Sequence, residues 1–127
     1  MASRVLIVED QDDVAQLIDV VLKAEGHTVA IASDGAQGLM YARDWKPDLI
    51  LMDIMLPGVD GGALISRLRQ EEETAELPII AMSASQTLRD RTSELQADAL
   101  LSKPFDVDAL LVQVHFLLSR GRGEGEA

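Results

Sequence analysis

The chain has no cysteine, one tryptophan, one tyrosine and two phenylalanines, and only 11 basic residues against 22 acidic ones. Without cysteine there are no disulfides and no thiolate metal sites. A net charge of −11 excludes a nucleic-acid binder that relies on a basic face. It equally disfavours an anionic membrane surface. No apolar run approaches the ~18 residues of a membrane span. The start, MASRVLIVED, has too short an apolar run for a signal peptide, and acids follow at once. The expectation is an acidic cytoplasmic protein with no membrane and no direct nucleic-acid contact.

Apolar residues make up 47% of the 127, enough for one folded domain with its own core. Short apolar runs alternate with helical patterns. VLIV (5–8) precedes Val14, Leu17, Ile18, Val21 and Leu22, which share one helix face, and Gly26 closes that helix. TVAIA (28–32) reads as a second strand and Asp34 as the cap of a helix running to about Asp44, with Tyr41 and Trp45 covering the core at its end. LILM (49–52) follows Pro47, and Leu64, Ile65 and Leu68 mark a third helix after Gly61 and Gly62. IIAM (79–82) follows Pro78, and Leu88, Thr92 and Leu95 outline a short helix over roughly Thr87 to Gln96. ALL (99–101) precedes Lys103-Pro104, and Val107, Leu110, Leu111, Val114, Leu117 and Leu118 make a last amphipathic helix that Gly121 ends. The domain is expected over residues 1–120, with GRGEGEA (121–127) a disordered tail or the start of a linker.

Strict strand-helix alternation implies an α/β fold: a doubly wound, five-stranded parallel sheet of order 2-1-3-4-5 with helices on both faces. In such sheets ligands bind beyond the carboxyl ends of the strands, near the switch point between strands 1 and 3. The residues at each strand's carboxyl end are therefore informative: Glu9-Asp10 after the first, Asp53 after the third, Ser83 after the fourth, Ser102-Lys103 after the fifth.

Asp10 and Asp53 come from neighbouring strands, with Glu9 beside them. Two carboxylates ~4 Å apart repel by ~4 kcal/mol at an effective dielectric of 20. Either one holds a proton at raised pKa, or a cation neutralises the cluster; the site is expected to be unfavourable until a cation occupies it. With hard oxygens as the ligands, magnesium or manganese suits it better than zinc. Lys103 adds a point charge for a phosphate and Ser83 a hydroxyl. A carboxylate nucleophile, a divalent cation, a lysine and a hydroxyl are the parts that form an aspartyl phosphate.

Bland readings compete at other positions. Asp12, Asp13, Asp34, Asp106 and Asp108 read as helix caps or dipole partners, and Glu71-Glu72-Glu73 as a solvated helix end. His27 and His115 read as structural or solvent-facing, and Lys103 taken alone as a surface ion pair.

Over residues 3 to 120 the chain resembles the receiver domain of two-component response regulators. VLIVEDQDD resembles that family's first strand and acidic pair, PDLILMDIMLPGVDG its phospho-acceptor strand and loop, IIAMSA its switch-hydroxyl strand, and LLSKPF its lysine followed by Pro104 and Phe105. The resemblance implies that Asp53 accepts a phosphoryl group from a phosphohistidine of a sensor kinase or phosphotransfer protein. It implies magnesium (or manganese) held by Asp10, Asp53 and the Met55 backbone carbonyl, with Glu9 acting through water. It also implies that Lys103 pairs with the phosphoryl group or with Asp53, that Ser83 moves toward that group, and that the Lys103-Pro104 bond is cis. The implied outcome is a signalling switch that assists its own phosphorylation, acting on an effector protein or on an output domain beyond this chain, as a monomer or a weak phosphorylation-dependent dimer. Leu100 stands where the family often has an aromatic residue, so an aromatic rotamer switch cannot work in its usual form. Gln96 stands where glycine is common.

Two other chemistries fit the same sheet. A haloacid-dehalogenase-like phosphatase with Asp53 as nucleophile wants a second aspartate two residues on, where Met55 sits. A flavodoxin-like FMN carrier places its phosphate loop after the first strand, where the acids after Val8 would repel a phosphate.

Overall fold

None of the apolar runs is long enough to make a core helix, and each forms a strand whose side chains alternate between two helix layers. The computed structural model describes residues 3–84 and 96–120. Its elements are β1 (Arg4–Val8), α1 (Asp12–Ala24), β2 (Thr28–Ala32), α2 (Gly35–Asp44), β3 (Leu49–Asp53), α3 (Gly61–Gln70), β4 (Ile79–Ser83), β5 (Ala99–Ser102) and α4 (Val107–Arg120). The five strands form one sheet of order β2-β1-β3-β4-β5, every pair parallel, as expected. The short helix expected over Thr87 to Gln96 lies, apart from Gln96, outside the described residues, as do Gly121 and the 121–127 tail.

Strand alternation divides the core. Leu6, Val8, Ile50, Met52, Ile79 and Ala81 pack with Leu64, Ile65 and Leu68 of α3. Val5, Ile7, Leu49, Leu51, Ile80, Met82 and Leu101 pack on the other face with Ile18 and Leu22 of α1 and Leu110, Val114 and Leu117 of α4. Tyr41 and Trp45 cover the first cluster, their rings edge to face at 6.5 Å. Among the described residues no helix is long and apolar enough to cross a membrane.

The last three strands run one residue past their apolar runs and so take in Asp53, Ser83 and Ser102. Ladder bonds are made by backbone and do not stop where the side chain turns polar. Pairing continues one step further, with Glu9 N–H donating to Ala32 O at 3.0 Å and Lys103 N–H to Ser83 O at 2.9 Å. Alternation therefore carries through to Glu9, Asp53 and Lys103. All three fall in phase with Val5/Ile7, Leu49/Leu51 and Ala99/Leu101, on the α1–α4 side.

Several expected caps change. Gln11 occupies the N-cap of α1 without a side-chain bond, and Asp12 and Asp13 lie inside the first turn. They complement the helix dipole and do not cap it. Asp34 caps α2 through Gln37 N–H, as expected, and Asp106 accepts from Asp108 N–H at the head of α4. Helix α3 begins at Gly61 itself, one turn earlier than its apolar stripe, because Asp60 caps it through Gly62 N–H. A Cβ at Gly61 would lie 2.3 Å from Ile54 Cα, so only glycine lets the β3–α3 loop close.

The run Glu71-Glu72-Glu73 is solvated only in its last two members. Glu71 is half-buried and binds the Arg43 guanidinium of α2 through both carboxylate oxygens, tying α2 to α3. A second tether was not anticipated. Arg69 of α3 donates to the carbonyls of Leu77 and Gln96 and to Asp98, whose carboxylate also accepts from Ile79 N–H. This fork anchors the entry to β5, the strand that ends at Lys103.

Candidate functional site

Three carboxylates converge at the carboxyl edge of the sheet. Glu9, Asp10 and Asp53 each place an oxygen within 4.8 Å of the others. Glu9 (1% exposed) and Asp53 (5%) are buried, whereas Asp10 is exposed and faces solvent. β1 and β3 are adjacent, and Val8 pairs with Met52, so the next residues of both strands must emerge side by side.

The fourth member arrives from the far side of the sheet. Lys103 Nζ lies 2.9 Å from Asp53 Oδ2 and 2.6 Å from Glu9 Oε1, with its side chain 14% exposed. It is no surface ion pair. The other Asp53 oxygen accepts from Met55 N–H at 2.8 Å, and Glu9 Oε2 from Gln11 N–H at 3.2 Å. The Lys103-Pro104 peptide is cis, as the resemblance implied.

Burial raises the Glu9 pKa, with Asp53 adding to the rise, against the pull of Lys103 and the Gln11 amide. For Lys103, burial works against the charged form. The hydrogen bonds to Glu9 and Asp53 outweigh it, and the pKa stays above the ordinary lysine value. The expectation of a cluster left unfavourable until a cation arrives is therefore corrected. Lys103 already compensates two of the carboxylates, although one ammonium among three carboxylates still leaves the cluster negative. The set is all hard oxygen and suits a magnesium-sized ion, which takes one or two carboxylates and keeps its waters.

Asp10, Asp53 and Lys103 line an open cleft of about 390 Å³ together with Gln11, Met55 and Ala84. The Met55 side chain is 63% exposed at its rim. Ser83 is fully buried and stands one residue before Ala84, which lines the cleft in its place. Three expected residues are thus in contact, Asp10 completes the carboxylate group, and Ser83 lies just behind. The Glu9–Lys103 contact spans 94 residues of sequence. The only signal for it was the shared alternation phase of their strands.

Known proteins resemble this chain in sequence and in fold. Residues 5–115 match the family model of the response regulator receiver domain. The chain is 39% identical over 119 residues to the DNA-binding dual master transcriptional regulator RpaA of Synechocystis, covering 92% of this chain and 49% of that protein. It is 38% identical over 123 residues to the transcriptional regulatory protein PcoR of Escherichia coli, covering 95% and 54%. The chain thus spans about half the length of these curated relatives. Among solved structures, a putative response regulator of Chloroflexus aurantiacus superposes with a TM-score of 0.88 at 34% identity, covering 94% of this chain and all of that one. The receiver domain of the sensor histidine kinase PA1611 of Pseudomonas aeruginosa, with magnesium coordinated in its active-site cleft, superposes with a TM-score of 0.86 at 29% identity, covering 94% and 99%. The sheet order, the acidic edge and these matches agree: the chain belongs to the response regulator receiver domain family of two-component systems.

Proposed function

We propose that this receiver domain is a phosphorylation-driven switch in which Asp53 accepts a phosphoryl group from a phosphohistidine of a sensor kinase or phosphotransfer protein. The observation that carries it is the environment of Asp53. Its two oxygens are oriented by Lys103 and by Met55 N–H, inside a carboxylate cluster that one ammonium leaves negative.

In the transfer, an Asp53 oxygen forms the new P–O bond as the P–N bond to the donor histidine breaks. Lys103 holds a positive charge beside that oxygen and stays protonated through neutral pH, because its carboxylate partners raise its pKa. Met55 N–H fixes the rotation of the carboxylate. Glu9 keeps Lys103 over the cleft, and Ser83, once turned outward, is placed to hydrogen-bond the new phosphoryl group. Asp10, Asp53 and the Met55 carbonyl, with Glu9 behind them, would hold magnesium, which would supply charge neutralisation on the phosphoryl oxygens. The magnesium coordinated in the PA1611 receiver supports this reading. The switch then acts in the cytoplasm on an effector protein or on an output domain, in keeping with the longer transcriptional regulators it resembles. Positioning and charge carry the reaction, so the chain assists its own modification without being an enzyme that turns over a separate substrate.

The test is intact-mass measurement after incubation with a small-molecule phosphodonor. The chain should gain one phosphoryl group with magnesium and none with excess chelator, and Asp53→Asn should gain none. Unchanged incorporation in that variant would overturn the reading.

A further inference from the structure

Where the turn after α1 meets α4, an imidazole has both nitrogens buried and, among the described residues, no partner for either. His27 follows Gly26 at the entry to β2, and both of its ring nitrogens are buried without a hydrogen-bond partner. Buried polar atoms are paired in the great majority of cases, so two orphans on one ring call for a cause. A neutral imidazole has one donor and one acceptor, and here neither is used.

Across the seam stands His115 of α4, its ring centroid 5.9 Å away and its plane inclined by 51°. His115 is half-exposed, and its Nε2 lies 3.5 Å from Glu25 Oε1. A proton on His27 therefore meets burial and a second imidazole.

We propose that His27, His115 and Glu25 form a pH-sensitive latch between the α1–β2 turn and α4, closed while His27 is neutral and opened when His27 takes a proton. Protonated, the ring would carry two buried, unpaired donors beside His115, and it must turn outward to water. The turn itself stays in place, because His27 N–H bonds Leu22 O and Gly26 N–H bonds Lys23 O independently of the ring. The loss falls on α4. The groups acting on His27 are His115 from α4, Glu25 from the turn and the charge of the chain's amino terminus. Burial and then His115 depress its pKa, against a smaller opposing pull from Glu25. The stabilisation from neutral His27 is thus complete above the ordinary value of 6.5 and is lost as pH falls from there through the lower folded value. His27 precedes the first residue of β2, at the sheet edge opposite Asp53, so the latch is separable from the phosphorylation site.

The experiment is an NMR titration of both imidazoles in the full chain, with amide hydrogen exchange along α4 followed between about pH 8 and 5. His27 should titrate below the ordinary histidine range, and exchange around His115 should accelerate through the same midpoint. His115→Gln should raise the His27 midpoint, and His27→Phe should remove the acid step in α4. A His27 midpoint at or above 6.5, or an acid step that persists in His27→Phe, overturns the latch. If His27→Phe does not fold, His115→Gln decides alone: an unmoved His27 midpoint overturns the proposal.

Discussion

The Lys103 ammonium lies 2.6 Å from Oε1 of Glu9, a carboxylate with 1% of its surface exposed. The same ammonium reaches Asp53 at 2.9 Å, so one cation holds Asp53 and Glu9 together. Removing one partner of a buried pair costs about 3–5 kcal/mol, because the other charge is left uncompensated. Lys103→Met should therefore lose on the order of 3 kcal/mol at neutral to alkaline pH. The loss has a pH dependence. Glu9 already has a raised pKa in the fold, and without Lys103 it rises further. A raised group favours the folded state below its ordinary value of 4.5 and loses that contribution as pH rises through the folded value. Denaturation midpoints of wild type and variant should converge near pH 4.5 and diverge near pH 8. An equal gap at both would show that Glu9 does not bear the cost.

Two glycines make a matched comparison. At Gly61 a Cβ would lie 2.3 Å from Ile54 Cα and 2.8 Å from its carbonyl oxygen, so backbone must move. At Gly26 a Cβ meets nothing within 4 Å, and only the φ of +92° resists. Gly61→Ala should cost about 1–3 kcal/mol by overpacking, more than the ~1 kcal/mol that alanine gains over glycine in a helix. It should also slow phosphorylation, because the loop it displaces carries Met55. Gly26→Ala should cost about 1–2 kcal/mol in backbone strain and leave the phosphorylation rate unchanged. Rates and denaturation curves on the two variants check both halves.

The α2–α3 tether predicts an acid-sensitive step. Hydrogen bonding from Arg43 lowers the Glu71 pKa, with Arg67 contributing a little. A lowered carboxylate adds stability above its ordinary value of 4.5, and that stability is lost as pH falls through the folded value. Arg43→Met should therefore lie below wild type at pH 6 and approach it in strong acid. Parallel curves across the acid range would remove Glu71 from the account.

Met55 presents an apolar side chain at the rim of the cleft, 63% exposed beside Asp53. An amide there offers a hydrogen bond to water attacking the acyl phosphate. One such bond, about 1 kcal/mol, corresponds to a rate change of about fivefold. Met55→Asn should shorten the phosphorylated lifetime by up to that factor, read from decay of the phosphoprotein mass. Unchanged decay would mean that water reaches the phosphate without passing Met55.

Much of the fold was legible because each feature that defines it is local. Five apolar runs, a helix stripe between successive runs and turn residues such as Gly26, Pro47 and Pro78 determine alternation, and alternation with right-handed crossovers leaves few sheet orders. The same local evidence put Glu9, Asp10, Asp53 and Lys103 at strand ends, on one edge of the sheet. Cap positions were less legible. Asp60 and Gln11 start their helices where an apolar stripe and a pair of aspartates pointed elsewhere, because caps depend on backbone angles that periodicity does not encode.

Contacts between distant elements had no local signature. Arg69 reaching Asp98, Arg43 gripping Glu71 and His27 meeting His115 depend on which helices become neighbours after the sheet assembles. The amino-acid sequence by itself determined the strand order and the acidic, hard-oxygen edge. Only the tertiary structure decided that Lys103 lies against both Glu9 and Asp53, that Ser83 is buried behind Ala84, and that the His27 ring nitrogens are buried without a partner among the described residues. The physical reason is separation: strand ends are specified by neighbours a few residues away, whereas charge compensation at the site joins residues 94 positions apart.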